Sequence, residues 1–159
     1  VIAWAWALVL AVPAAEDVYT ATLVFEKMHC EECRLELEAA ARRMQGYRGI
    51  TFAGDSAVLT FDERAPIPAF NRLPKDLAVR AVKVSLRGTV SFSGDKATLA
   101  AKGSGQALAL ANPSSPPGED RLGELRRRLG GKNRFRVSGT LVGGKTIVLE
   151  SFEATDWKD

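Results

Sequence analysis

Four glycine-bearing stretches set the strongest limit on how this chain can fold: "AGDSA" at 53–57, "SGDKA" at 93–97, "KGSGQ" at 102–106 and "VGGKT" at 142–146. Each stands between runs in which apolar and polar residues alternate. Glycine beside Asp, Ser or a second Gly supplies the positive φ that tight hairpin turns need, and period-two alternation marks half-buried strands. "YRGITFA" and "SAVLTFDE" flank the first turn. "RGTVSFSGDKATLAAKGSGQALALA" reads as three strands, and "RFRVSGTLVGGKTIVLESFEA" as a further hairpin around Gly143-Gly144.

The alternation breaks in a few places. "DVYTATLVFEKM" has the β-branched and aromatic content of a strand,. Cys33, Leu37, Ala40, Ala41 and Met44 then recur at helical spacing, and Gly46 is placed to end that helix,. Glu31 and Glu32 in its first turn and Arg42 and Arg43 in its last complement the helix dipole,. The proline-rich "RAPIPAFNRLPKDLA" leaves room for one short helix between Pro68 and Leu73, before "VRAVKVSLRGTVSFS" returns to strand. The order β-α-β-β-α-β predicts an α+β, ferredoxin-like domain over residues 15–86. Beyond it, three strands, the helix "RLGELRRRLGG" opened by Glu119 and Asp120, and two strands predict a small OB-like β-barrel domain over 87–159,. The boundary falls within "KVSLRGTV", where one long strand can serve both parts.

The first residues differ in kind. "VIAWAWALVLAVPAAED" is an uncharged apolar run followed by small residues and acids, the pattern of a secretory signal peptide that lacks its basic start,. Val12 and Ala14 suit a cleavage site, so residues 1–14 are expected to leave and the mature chain to begin near Ala15. The rival reading is a membrane anchor, although the run is shorter than the ~20 apolar residues that span a bilayer. Export to the periplasm or the extracellular space is the expectation, with no membrane association after cleavage.

That compartment sharpens the meaning of the two cysteines. Cys30 and Cys33 are the only ones in the 159 residues. A disulfide between them would close a very small loop and contribute little stability, so stapling is the weakest explanation. Their place, after a strand and at the start of a helix, favours thiolate chemistry, because unpaired backbone N–H groups there stabilise negative charge. Two soft thiolates suit Cu(I) or Hg(II), whereas Zn(II) normally takes four ligands.

"MHCEEC", with the helical spacing of Leu37, Ala40, Ala41 and Met44, Gly46 and the two following strands, resembles the Met-x-Cys-x-x-Cys motif of heavy-metal-associated domains. Those domains occur in copper chaperones, periplasmic mercury-binding proteins and soft-metal ATPases. The resemblance covers about residues 18–87. It implies that Cys30 and Cys33 bind the metal, that Met28 packs beneath the loop, and that a metal-transfer protein is the partner. It also implies a Lys or aromatic near the loop, for which Lys75 is the candidate.

Two other functions are weighed beside a non-catalytic metal carrier. A thiol-disulfide oxidoreductase would use the same cysteines, but the strand-helix order is not that of thioredoxin-like folds and no Trp precedes the pair. An interaction module would leave the cysteines a packing role. A covalent haem site needs His after the second cysteine, and His29 instead precedes the first,. His29 reads as a solvated loop residue rather than a third ligand. Arg121, Arg126, Arg127, Arg128, Lys132, Arg134 and Arg136 make the second helix region basic. Phe92, Phe135 and Phe152 could stack bases, but alternation makes them equally good core residues. The net charge of +3 is too small to mark a polyanionic partner,, and no nucleic acid is expected. No Ser/His/Asp set, paired-carboxylate pocket or phosphate loop stands out, so no enzyme activity is expected.

Overall fold

The structure is a computed structural model that describes residues 17–26, 28, 30–74, 76–114 and 119–157. The expected signal segment, and with it Lys27, His29 and Lys75, lies outside the described residues. Among them the elements run β1 (Val18–Phe25), α1 (Glu31–Arg42), β2 (Tyr47–Ala53), β3 (Ser56–Asp62), a 3-10 turn (Phe70–Arg72), β4 (Val79–Ser93), β5 (Lys96–Ala101), β6 (Ala107–Ala111), α2 (Arg121–Arg128), β7 (Arg134–Val142) and β8 (Thr146–Ala154).

One sheet connects all eight strands in the order β2-β3-β1-β4-β5-β6-β8-β7, and β7 pairs back onto β4. Strands β4, β5, β6, β8 and β7 thereby close a five-stranded barrel, consistent with the OB-like arrangement expected. Its one parallel contact joins β6 to β8; the other pairings are antiparallel. The hairpin turns fall on the glycine stretches, with Gly54, Gly94, Gly103, Gly105, Gly143 and Gly144 all at positive φ.

Alternation builds the core on both sides of β4. Tyr19, Ala21, Leu23 and Phe25 of β1 and Ala57, Leu59 and Phe61 of β3 are buried together with Leu37 and Ala41 of α1. In the barrel the inward set includes Leu86, Val90, Leu99, Leu108, Phe135, Val137, Ile147 and Leu149, closed at one end by Leu125 of α2. Asp120 caps α2 by accepting the Gly123 N–H at 2.9 Å. Asn112 supports that cap, its Oδ1 accepting the Leu122 N–H and its Nδ2 donating to Asp120.

The ferredoxin-like expectation is corrected here. Among the described residues no α-helix joins β3 to β4; the connection holds only the 3-10 turn Phe70–Arg72. Pro66, Pro68 and Pro74 account for this, since proline donates no N–H and biases the residue before it towards extended backbone,. The sheet also does not stop at a fourth strand. β4 continues for 15 residues as the first barrel strand and is the one long strand expected around 86/87 to serve both parts. The chain is a predominantly β structure with a closed barrel and extra strands, not a βαββαβ unit.

Charge and close packing tie the segment after β3 to the barrel. Glu63 and Arg87 are both buried and ion-paired, and Lys102 Nζ lies 3.3 Å from the Glu63 carboxylate. Gln106 Oε1 accepts the Ile67 N–H at 2.8 Å, and Tyr19 donates its hydroxyl proton to the Pro66 carbonyl. Burial pushes the Tyr19 hydroxyl well above its ordinary pKa, so it stays protonated as a donor,. Gly103 sits at φ 88°, and a Cβ there would come within 2.7 Å of the Glu63 carbonyl oxygen. Trp157 lies over the same corner, its ring within 6 Å of cationic groups on Arg87, Lys102 and Arg134,.

Candidate metal centre

The segment that turns β1 into α1 is short and pinned from several sides. Phe25 donates its N–H to the Asp55 carbonyl at 2.8 Å, and Glu26 donates to the Ala78 carbonyl at 3.3 Å. Met28 then drops into the core at 2% exposure, with its N–H donated to Asp55 Oδ1 at 3.3 Å. Cys30 adopts extended backbone (φ −100°, ψ 126°) and forms the N-cap of α1.

A cysteine at this position does what Ser or Asp does at other helix starts. The Cys30 Sγ accepts the Cys33 N–H at 3.3 Å, while the Cys30 carbonyl accepts the first helical bond from Arg34. Cys30 is exposed, and Cys33 is half-buried and packed against the core cluster on the stripe that continues through Leu37 and Ala41. Both thiols are free.

The Cys33 thiol is held above its ordinary pKa, first by its hydrogen bond with the Cys30 side chain, then by desolvation and by the nearby Cys30 and Glu36 charges. The Cys33 backbone hydrogen bond acts in the opposite direction. Two thiols one helical turn apart at the same helix start resist carrying two negative charges at once. A soft cation relieves that repulsion when it replaces the proton, which is the chemical fit of this pair to Cu(I) or Hg(II). Glu31 and Glu32 are exposed at the rim, and the Arg34 guanidinium lies 5.5 Å over the Phe52 ring. Among the described residues no group of three or more His, Cys, Asp or Glu side chains converges on a metal position. Four-coordinate Zn(II) would therefore need ligands from beyond these two sulfurs.

Asp55 is the residue that sequence reasoning misses. It lies in the β2–β3 turn, where Asp beside Gly reads simply as turn chemistry, yet it holds the Met28 amide from 27 positions away. Nothing local signals such a contact.

The other singled-out residues take ordinary structural places. Phe135 is in the barrel core, edge-on to Phe152 at 6.1 Å. Arg126 lies over Phe92 at 4.7 Å and Arg128 over Phe152 at 5.6 Å. Arg121 pairs with Glu119 and donates to the Glu150 carbonyl, and Arg134 donates to the Trp157 carbonyl. No described helix is long and apolar enough to cross a membrane. Comparison with protein-family models, with curated proteins and with solved structures gives no match for this chain.

Proposed function

We propose that the protein binds one soft metal ion, Cu(I) or Hg(II), between Cys30 and Cys33, and sequesters it or passes it to a partner protein without catalysing a reaction. The observation that carries this reading is the geometry of the pair. One exposed and one half-buried sulfur sit at the open start of α1, and the exposed Cys30 Sγ accepts the Cys33 backbone N–H. Exposure of Cys30 gives an incoming thiolate a sulfur to approach, and the partial enclosure of Cys33 slows loss of the ion to water. The buried Met28 and the Asp55 side chain hold the loop from beneath. The motif's resemblance to heavy-metal-associated domains and the leader-like first residues support a metal carrier working outside the cytoplasm.

Titration of the reduced protein with Cu(I), Hg(II) and Zn(II) against a competing chromophoric chelator tests the reading. One equivalent of Cu(I) or Hg(II) is expected to bind, with Zn(II) far weaker. Cys30→Ser and Cys33→Ser should each lower Cu(I) affinity by orders of magnitude with the far-ultraviolet circular dichroism unchanged. Unchanged affinity in the double variant overturns the proposal. Catalysis of insulin reduction by the metal-free protein would replace it with thiol-disulfide exchange.

A further inference from the structure

β2 pairs with β3 on one side and, among the described residues, with no strand on the other, whereas every other strand of the sheet has at least two neighbours. The two-residue turn Gly54–Asp55 closes on the pair Ala53–Ser56. Ala53 and Thr51 therefore exchange backbone hydrogen bonds with β3, and the N–H and C=O groups of Ile50 and Phe52 point away from it. Among the described residues no loop or side chain bonds to those outward groups. Sheets guard such an edge with proline, charged side chains or a bulge. Here the guards stop short of the middle of the strand. The bulge lies between Tyr47 and Gly49, and Arg48, the one charged residue of β2, is paired with Asp62 at 2.7 Å. Beyond it Gly49 has open space where a side chain would stand, and Thr51 and Ala53 are exposed.

The unguarded stretch Gly49-Ile50-Thr51-Phe52-Ala53 has the same chemistry read in either direction: small, apolar, threonine, apolar, small. Ile50 and Phe52 both lie on the α1 face, packed against the core cluster, and Gly49, Thr51 and Ala53 lie on the other. Two such strands laid antiparallel, Thr51 facing Thr51, match Ile50 to Phe52 twice and Gly49 to Ala53 twice. Ile50 and Phe52 then exchange both backbone hydrogen bonds with their opposites, which satisfies every outward group. The same register sets Arg48 of one copy beside the Gly54–Asp55 turn of the other. The Arg48 side chain is 48% exposed, and Asp55 is exposed with no cation within 4.0 Å among the described residues. Strand pattern and charge thus complement themselves about one point, which selects a second copy over an unrelated strand. We propose that β2 pairs with β2 of a second copy of this chain across a two-fold axis at Thr51. So short an edge buries less than the ~1,200 Å² of standard interfaces, so the dimer is weak and reversible. The Asp55 turns, and the cysteine loops beside them, fall at opposite ends of the joined strands. Each chain keeps its own cysteine pair, and the pairing is independent of the metal reading.

Sedimentation equilibrium of the reduced full chain, taken up to about 1 mM, tests this, with Thr51→Lys and Thr51→Glu as variants. The wild-type chain is expected to pass from monomer to dimer as concentration rises. Thr51 is exposed, so both variants should keep the wild-type circular dichroism. Each alone sets like charges opposite one another at the axis and should lose the dimer. An equimolar mixture of the two sets opposite charges there and should recover it as a heterodimer. Hydrogen exchange reads the edge itself: the Ile50 and Phe52 amides should slow as the dimer forms. A wild-type chain monomeric throughout, variants that dimerise as the wild type does, or a mixture that recovers nothing overturns the proposal. So does protection of the Ile50 and Phe52 amides that is independent of concentration, which would give the edge to another segment of the same chain.

Discussion

Arg87 grips Glu63 with two parallel hydrogen bonds, Nε to Oε1 at 2.7 Å and Nη2 to Oε2 at 3.1 Å, and both side chains are at least nine-tenths buried. Arg87 belongs to β4 and Glu63 to the segment just after β3, so the pair joins the barrel to the strands that carry the cysteine loop. A buried charge whose partner is removed costs more than the pair contributes. Glu63→Ala is expected to lower stability by about 3–5 kcal/mol in urea denaturation. A double replacement, Glu63→Met/Arg87→Met, should recover most of that loss. Equal destabilisation by both changes would show that shape, not charge, matters at this corner.

Gly103 gives a second test of the same junction. Its φ of 88° and the nearness of the Glu63 carbonyl leave no room for a side chain. Gly103→Ala should cost about 1–3 kcal/mol from the left-handed backbone, with more from displacing the 63–64 backbone. Gly54→Ala has the same sign of φ but open space around it. It should cost less, and thermal denaturation of the two variants separates steric clash from backbone strain.

Acid should loosen the molecule through Asp62 and Asp120. The Arg64 side chain and backbone N–H, then Arg48, hold the Asp62 carboxyl far below the usual range. The Gly123 N–H and Asn112 lower Asp120. Folded-state pKa values below the unfolded ones mean that both groups stabilise the fold above the unfolded pKa of about 3.9. That contribution is lost as pH falls from there towards the folded values. The urea midpoint should therefore be steady from neutral pH to about 5 on this account and drop below about 4. Asp62→Asn should lower the midpoint at neutral pH and flatten the acid limb. An unchanged limb would mean that other carboxylates govern it.

The two sulfurs should differ in reactivity. Cys30 is exposed, whereas Cys33 is half-buried and its thiol is held protonated by the Cys30 contact. Alkylation needs access and thiolate together; Cys30 has the access, and the raised pKa of Cys33 works against its thiolate,. Timed iodoacetamide labelling of the reduced protein, read by peptide mass spectrometry, should modify Cys30 first. Faster labelling of Cys33 would show that the helix opens at its start in solution.

What the sequence made legible was local. The glycine turns, the alternation of β5 through β8, the helical stripe from Cys33 to Met44 and the Asp120 cap each rest on residues within a few positions of one another. The cysteine pair was legible for the same reason. Between Pro68 and Leu73 the expected short helix is present only as the single 3-10 turn Phe70–Arg72, because Pro66, Pro68 and Pro74 bias the rest of 65–78 towards extended backbone, so no second α-helix packs on the sheet,. Contacts such as Glu63–Arg87, 24 positions apart, and Asp55–Met28, 27 apart, leave no periodic trace. A strand followed by a short helix and another strand also fits several sheet orders until the pairings of the long strand are known.

Those pairings set a timetable for folding. One stretch of β4 pairs with β1, as Ala21 does with Val84, and the same stretch faces β7, where Lys83 meets Thr140. The first contact spans 63 positions and the second 57, so this stretch of β4 has neither neighbour close by in the chain, whereas the stretch from Gly88 to Ser93 makes a local hairpin with β5. Loops that long must close before their contacts repay the entropy, which makes folding slow and late. During synthesis β4 can find β1, but its other edge stays open until β7 has emerged about fifty residues later. A nascent chain therefore displays one open edge of β4 beside a nearly finished cysteine loop. Any chaperone or processing step that meets the chain at that stage meets the loop before the barrel exists.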